Sequence, residues 1–186
     1  MVFFFNLLIA IIIFPILTPI MIAIGIAVRL TSKGPALHWS KRIGINNQIF
    51  LMPKFRTMSI STPQVATHLL ENSKSYLTPI GDFLRKTSLD EIPQILSIIK
   101  RDMNFVGPRP ALFNQNDLIQ LRTSKSLHLL APGITGWAQI NGRDDIPIPK
   151  KVELEEYYLH NRSLRLDCKI IALTAYKVLK KENISH

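Results

Sequence analysis

From Met1 to Val28 the chain carries no charged residue: MVFFFNLLIAIIIFPILTPIMIAIGIAV. No other feature restricts the fold as strongly. A straight helix of this length reaches about 40 Å, enough to cross a hydrocarbon core of about 30 Å. A soluble core helix is seldom apolar on every side, so residues 1–28 are expected to be a membrane helix. Pro15 and Pro19 lie inside it, with Thr18 just ahead of the second. Each proline removes a helical donor and crowds the preceding turn, and the residue before a proline resists helical backbone. A break near Thr18 and Pro19 is therefore expected, with the Thr18 hydroxyl as a partner for a freed carbonyl. Two geometries follow. One is a kinked spanning helix with its N-terminus outside; the other is a re-entrant helix-break-helix that dips into one leaflet and returns. These residues alone do not choose between them. A cleaved signal peptide is a third reading, but the charged n-region is missing and the apolar run is too long. Arg29, Lys33, Lys41 and Arg42 follow at once. By the positive-inside rule they keep the remainder, residues 29–186, in the cytoplasm as a single domain.

The net charge of +10 points to a polyanionic partner: nucleic acid, an anionic membrane face or phosphorylated substrates. Nucleic acid is disfavoured, because the basic residues form neither a helix-face stripe nor a recognised module. A single cysteine, Cys168, excludes an internal disulfide and any multi-cysteine zinc site. His38, His68, His128, His160 and His186 show no metal spacing and read as structural. P-loop, G-x-G-x-x-G and G-x-S-x-G motifs are absent.

Past the apolar run, Gly34-Pro35 marks a turn and Asn46-Asn47 the tip of a short hairpin. FLMPKFRTM reads as a strand that Pro53 confines to an edge. Ser59 to Thr78 reads as a loop with a short helix near Val65 to Glu71. Ile92, Ile95, Leu96 and Ile99 follow helical spacing. That helix starts either with a capping box, Ser88 to Glu91, or with Asp90 as its cap, which brings Pro93 to the third position. Both registers set Asp90 and Glu91 at a helix N-terminus, which favours anions. GPRP, residues 107–110, is a stiff turn that holds Arg109 in place. APGITGWAQINGRDD, from Ala131, reads as a pocket-shaping loop. KVELEEYYLHNRSLRLD is helical with a turn near Asn161. A last helix runs from Asp167, as cap, to Lys180, with Lys177, Lys180 and Lys181 placed for anionic lipid.

The adjacent carboxylates carry two readings. One is an ordinary helix start. The other is a nucleophile beside a metal ligand: an aspartate can attack phosphorus to form an acyl phosphate, and magnesium takes one or two protein carboxylates plus phosphate oxygens. Lys54, Arg56, Arg85, Arg109 and Arg143 favour the second, because guanidinium and ammonium groups match phosphate.

At KFRTM, SLDEIPQ, VGPRP, PGITGWAQINGR and LRLDCKI the chain resembles the bacterial sugar transferases known as monotopic phosphoglycosyl transferases, in their small, PglC-like, catalytic-domain-only form. The likeness covers nearly everything from Leu17 onward, in five ordered motifs. It implies transfer of a phosphosugar from a UDP-sugar to a polyprenyl phosphate, with release of UMP, through a covalent intermediate and with magnesium. It implies Asp90 as nucleophile, Glu91 as magnesium ligand and Arg109 as phosphate grip. Lys54, Arg85, Arg143 and Asp167 match positions linked to the active site, and the break at Thr18-Pro19 matches a re-entrant helix. Three departures stand out. The usual basic pair and Asp ahead of the apolar helix are replaced by MVFFFN, which leaves an upstream start open; Ser40 replaces a Gln; and Pro53 stands where an aromatic is common.

The expectation is an α+β enzyme: a re-entrant membrane helix on a compact, mostly helical cytoplasmic domain with a small β element. It would act at the bacterial inner membrane with UDP-sugar, polyprenyl phosphate, membrane lipid and downstream glycosyltransferases as partners, and no nucleic acid. A magnesium-dependent lipid-phosphate hydrolase and a non-catalytic membrane adaptor are the alternatives.

Overall fold

A computed structural model of the chain describes residues 2–62, 73–142 and 146–180. Helix α1 runs from Val2 to Thr31 without interruption, about 45 Å at 1.5 Å per residue. It is long and apolar enough to cross a membrane, yet one stripe of it is packed on the rest of the chain. Asn6, Ala10, Ile13, Leu17, Met21, Ile24 and Val28 recur every three or four residues along this stripe. The middle of the stripe meets Met52, Ile95, Ile98 and Met103, and its C-terminal end meets Phe55 and Leu84. The Asn6 carboxamide accepts a hydrogen bond from the Phe105 amide at 2.8 Å. The opposite face exposes Phe4, Leu8, Ile12, Ile16, Ile22 and Leu30.

The break expected near Thr18 and Pro19 is absent. Side-on packing over most of the helix offsets what the prolines remove, and both rings sit on the exposed face. A proline crowds the carbonyl four residues back, so that placement directs bending toward the domain. The Thr18 hydroxyl donates to the Phe14 carbonyl at 2.8 Å, not to the carbonyls of Ile11 and Pro15 that the prolines leave without donors.

Strands β1 (Leu37–Ile43) and β2 (Ile49–Phe55) form the expected antiparallel hairpin. Asn46 and Asn47 take left-handed backbone at its tip, φ 53° and 59°, a conformation asparagine tolerates. Pro53 pairs with Trp39 in a sheet of only two strands, where every strand is an edge. The helix expected near Val65 to Glu71 lies outside the described residues.

Helix α2 (Gly81–Lys86) leads to Ser88, which has left-handed φ 56° and makes no side-chain cap. Neither proposed cap forms. Leu89–Gln94 is a 3₁₀ segment, and only Ile95–Ile99 is α-helical, as α3. Pro93 supplies the reason: it cannot donate, so the chain winds through it with the tighter i to i+3 pattern before reaching α pitch.

Strand β3 (Asn104–Val106) pairs in parallel with β4 (Gly133–Thr135). Residues 131–145 are thus not a simple loop, since β4 and helix α5 (Trp137–Asn141) lie within them. A Cβ added at Gly133 would stand 2.1 Å from the Gly107 nitrogen, so glycine is required for this backbone approach. Helices α4 (Asn116–Ser124), α6 (Ile148–Asn161) and α7 (Leu164–Leu179) close a second core around Val106, Leu118, Leu127, Val152, Tyr158 and Ile170. Helix α7 starts earlier than expected. Ser163 is its cap, accepting from the Leu166 amide at 3.3 Å, and Asp167 falls inside the first turn. The α+β class agrees with the sequence.

Candidate active site

Three segments far apart in sequence converge beside α1. Strand β2 supplies Lys54 near its end, the 3₁₀ segment supplies Asp90 and Glu91, and the GPRP turn supplies Arg109. The Lys54 ammonium meets Glu91 Oε1 at 2.5 Å, and an Arg109 nitrogen meets the same oxygen at 3.3 Å. Asp90 is 6% exposed, and its Oδ1 is buried without a hydrogen-bond partner. Burial pushes its carboxyl up to about 6; Lys54 pulls the other way, Glu91 adds to the rise, and Arg85 and Arg109 oppose it. A side chain of this kind is unfavourable for folding, so its retention in a cluster of cations points to use.

Arg85 lies within electrostatic reach of Asp90. Its Nε donates to the Thr57 hydroxyl at 3.0 Å, which turns the guanidinium along the end of β2. His38 stands opposite Lys54 in the hairpin. Partial desolvation foremost, then Lys54 and Arg42, holds its imidazole below the ordinary range.

Two expected site residues lie elsewhere. Arg56 is buried and spends its guanidinium on the carbonyls of Pro35, Lys33 and Ser32 and on the Ser32 hydroxyl. It fastens the C-terminal end of α1 to β2 and is not directed at the Asp90 cluster. Asp167 accepts from the Tyr158 hydroxyl at 2.7 Å, so its carboxylate braces α6 against α7. Arg143 lies outside the described residues. Truncating Arg56 to Ala would strand several acceptors, and is expected to lower stability by about 3 kcal/mol. Thermal melting of the detergent-solubilised chain checks this; an unchanged melting temperature would remove Arg56 from the helix anchor.

Two residues that the sequence did not single out close the site from behind. Arg122 on α4 and Glu155 on α6 form a buried pair at 2.8 and 2.5 Å, and Arg122 also donates to the Arg109 carbonyl at 3.0 Å. They lie 33 positions apart, so no local pattern could pair them.

The cluster offers limited room for a divalent cation on protein ligands alone. Among the described residues there is no group of three or more His, Cys, Asp or Glu side chains able to hold a metal. Glu91 supplies a hard carboxylate donor beside the buried Asp90. Magnesium is commonly bound by one or two carboxylates and completed by phosphate oxygens and water. The residues therefore fit a cation that arrives with a phosphorylated ligand. Beside it, Lys54, Arg85 and Arg109 offer donors that match phosphate oxygens, and a carboxylate such as that of Asp90 is a group able to attack phosphorus.

Comparison with known proteins places the chain as a whole. The model of the bacterial sugar transferase family matches residues 2–181. The chain is 42% identical to the uncharacterized sugar transferase EpsL of Bacillus subtilis (strain 168), over 90% of this chain and 82% of that one. It is 38% identical to the UDP-glucose:undecaprenyl-phosphate glucose-1-phosphate transferase of Xanthomonas campestris pv. campestris and 36% identical to that of Escherichia coli (strain K12). Those matches cover 88% and 92% of this chain but only 35% and 39% of the relatives.

Proposed function

The chain belongs to the bacterial sugar transferase family, and on that premise we propose that it moves a phosphosugar from a UDP-sugar to a polyprenyl phosphate, undecaprenyl phosphate in particular, releasing UMP. The observation that carries this reading is the buried Asp90 carboxylate, with one oxygen unpartnered, beside the Glu91, Lys54 and Arg109 cluster. Relatives named as UDP-glucose:undecaprenyl-phosphate glucose-1-phosphate transferases support the reaction class.

In the first step an Asp90 carboxylate oxygen attacks the β-phosphorus of the donor. The bond from that phosphorus to the oxygen bridging to UMP breaks, and UMP leaves with the oxygen. In the second step a phosphate oxygen of the polyprenyl phosphate attacks the same phosphorus, and the Asp90 carboxylate leaves unchanged. The product is a polyprenyl-diphosphate-sugar. A carboxylate raised to about 6 is mostly ionised at pH 7 and more nucleophilic than an ordinary one. Lys54, Arg85 and Arg109 hold the phosphate oxygens and offset the repulsion between attacking carboxylate and phosphate. Magnesium held by Glu91 together with the diphosphate would draw further charge from the phosphate oxygens.

The acceptor is a lipid, and α1 is placed to meet it. Asn6 near one end of the helix and Val28 near the other both pack on the same domain. That arrangement supports a helix held within one leaflet beside the site, and does not suit one that carries its N-terminus across. Arg29 and Lys33 support a domain on the cytoplasmic face, where UDP-sugars and downstream glycosyltransferases are found.

The test is UMP release by detergent-solubilised protein with magnesium, polyprenyl phosphate and a panel of UDP-sugars. Release that depends on one donor, the lipid acceptor and magnesium is expected. Continued turnover without lipid would indicate a hydrolase. No release with any donor, from protein that still binds membranes, would favour an adaptor.

A further inference from the structure

We propose that the buried Arg122–Glu155 pair is a positioning unit for Arg109, setting the strength with which the site grips the donor's diphosphate. The inference rests on the phosphate-gripping role proposed above for Arg109. Arg109 reaches Glu91 from a four-residue turn whose backbone is held by groups outside it. The Gly107 amide donates to the Thr135 carbonyl and the Pro108 carbonyl accepts from the Gly133 amide, each at 2.9 Å. The Pro110 carbonyl accepts from Arg42 at 3.1 Å. The Arg109 carbonyl, on the residue that carries the functional side chain, accepts from Arg122 at 3.0 Å.

Arg122 is itself held from behind. Its Nε and a terminal nitrogen both bind the Glu155 carboxylate, which is 2% exposed, while Arg122 is 8% exposed. A two-point pair fixes the plane of the guanidinium, and the terminal nitrogen that binds Glu155 turns its second N–H to the Arg109 carbonyl. Burying such a pair is a poor way to gain stability, because desolvation opposes the attraction, and apolar replacements are often as stable. A role in placement accounts for it better. Glu155 also lines, with Arg109, Gly107, Trp137 and Tyr158, one narrow crevice, so the brace lies next to Arg109. Arg122 meets the site at the Arg109 carbonyl, and Glu155 meets it through Arg122. Both act through Arg109.

A double-mutant cycle on binding of UDP with magnesium tests this without requiring turnover. Isothermal titration would use the full, detergent-solubilised chain. The variants are Arg109→Ala, the paired replacement Arg122→Met with Glu155→Leu, and all three substitutions together. Arg109→Ala is expected to weaken UDP by roughly 10-fold or more, and the paired replacement by about 10-fold. The triple variant is expected to match Arg109→Ala alone, because a brace has nothing to hold once the guanidinium is gone. Equal losses from the paired replacement in both backgrounds would make the pair a general structural element and overturn the proposal while leaving the phosphate grip intact. A paired replacement with wild-type affinity would also overturn it. Full UDP affinity in Arg109→Ala, or none in the wild-type chain, would instead remove the grip itself, and the positioning role with it. Should the apolar pair fail to fold, Glu155→Gln keeps the shape and weakens the clamp on Arg122. The same non-additivity with Arg109→Ala is then expected, with a smaller loss.

Discussion

Asp90→Asn is expected to abolish UMP release, by at least about a thousandfold, while making the chain harder to unfold. The two effects share one cause. Asp90 is buried, and one of its oxygens has no hydrogen-bond partner. A charge in that position opposes folding, and a neutral amide of the same shape does not. Burial raises the folded carboxyl above its ordinary value, to about 6. The folded chain therefore holds the proton more tightly than the unfolded one. Stability from this group is complete below the ordinary carboxylate range and is lost as pH rises through about 6. The gain from Asn should accordingly be present at pH 8, on the order of 2 kcal/mol, and fade by pH 4. Melting curves of both proteins with a chelator, at the two pH values, would measure it. A variant that is inactive because it is misfolded would melt lower at every pH, and that outcome would deprive Asp90 of its separate chemical role. Retained UMP release would remove it as the nucleophile.

The sequence grouped residues that converge in space more reliably than it showed what each one touches. Lys54, Asp90, Glu91 and Arg109 were legible as one chemistry because carboxylates and phosphate-matching cations stood in stiff local settings, and they do converge. Arg56 looked equivalent to Lys54 two positions earlier. Strand β2 ends at Phe55, however, so Arg56 lies past it and takes the carbonyls that follow α1. Asp167 was read as a cap, yet Ser163 was available one turn earlier and Tyr158 offered its hydroxyl. The buried stripe of α1 was hidden for a different reason: both faces are apolar, so hydropathy could not separate the face against Met52 and Ile98 from the face left bare. Arg122 and Glu155 were invisible because their significance lies only in tertiary pairing. The short α3 followed from Pro93, whose missing donor outweighed the helical spacing of the isoleucines around it.

Glu91→Gln is expected to reduce turnover by roughly 10²- to 10³-fold without a matching loss of UDP affinity. One Glu91 oxygen meets both Lys54 and Arg109. The amide keeps the volume but cannot balance two cations, so Asp90 becomes the nearest anion for Lys54. Its carboxylate would then be stabilised by Lys54 and would no longer be raised by a neighbouring negative charge, and its nucleophilicity falls. The proposed magnesium ligand is lost in the same substitution. Binding responds differently, because removing an anion beside the diphosphate lowers repulsion. In a chelator, UDP should bind Glu91→Gln at least as tightly as it binds the wild-type chain. Glu91→Asp keeps the charge on a shorter arm and should recover part of the rate as magnesium is raised, whereas Glu91→Gln should not. Titrating magnesium against UMP release for the three proteins separates these roles. Wild-type turnover by Glu91→Gln at ordinary magnesium would show that the carboxylate serves only to pair Lys54 and Arg109, and the metal would then have to be held without it.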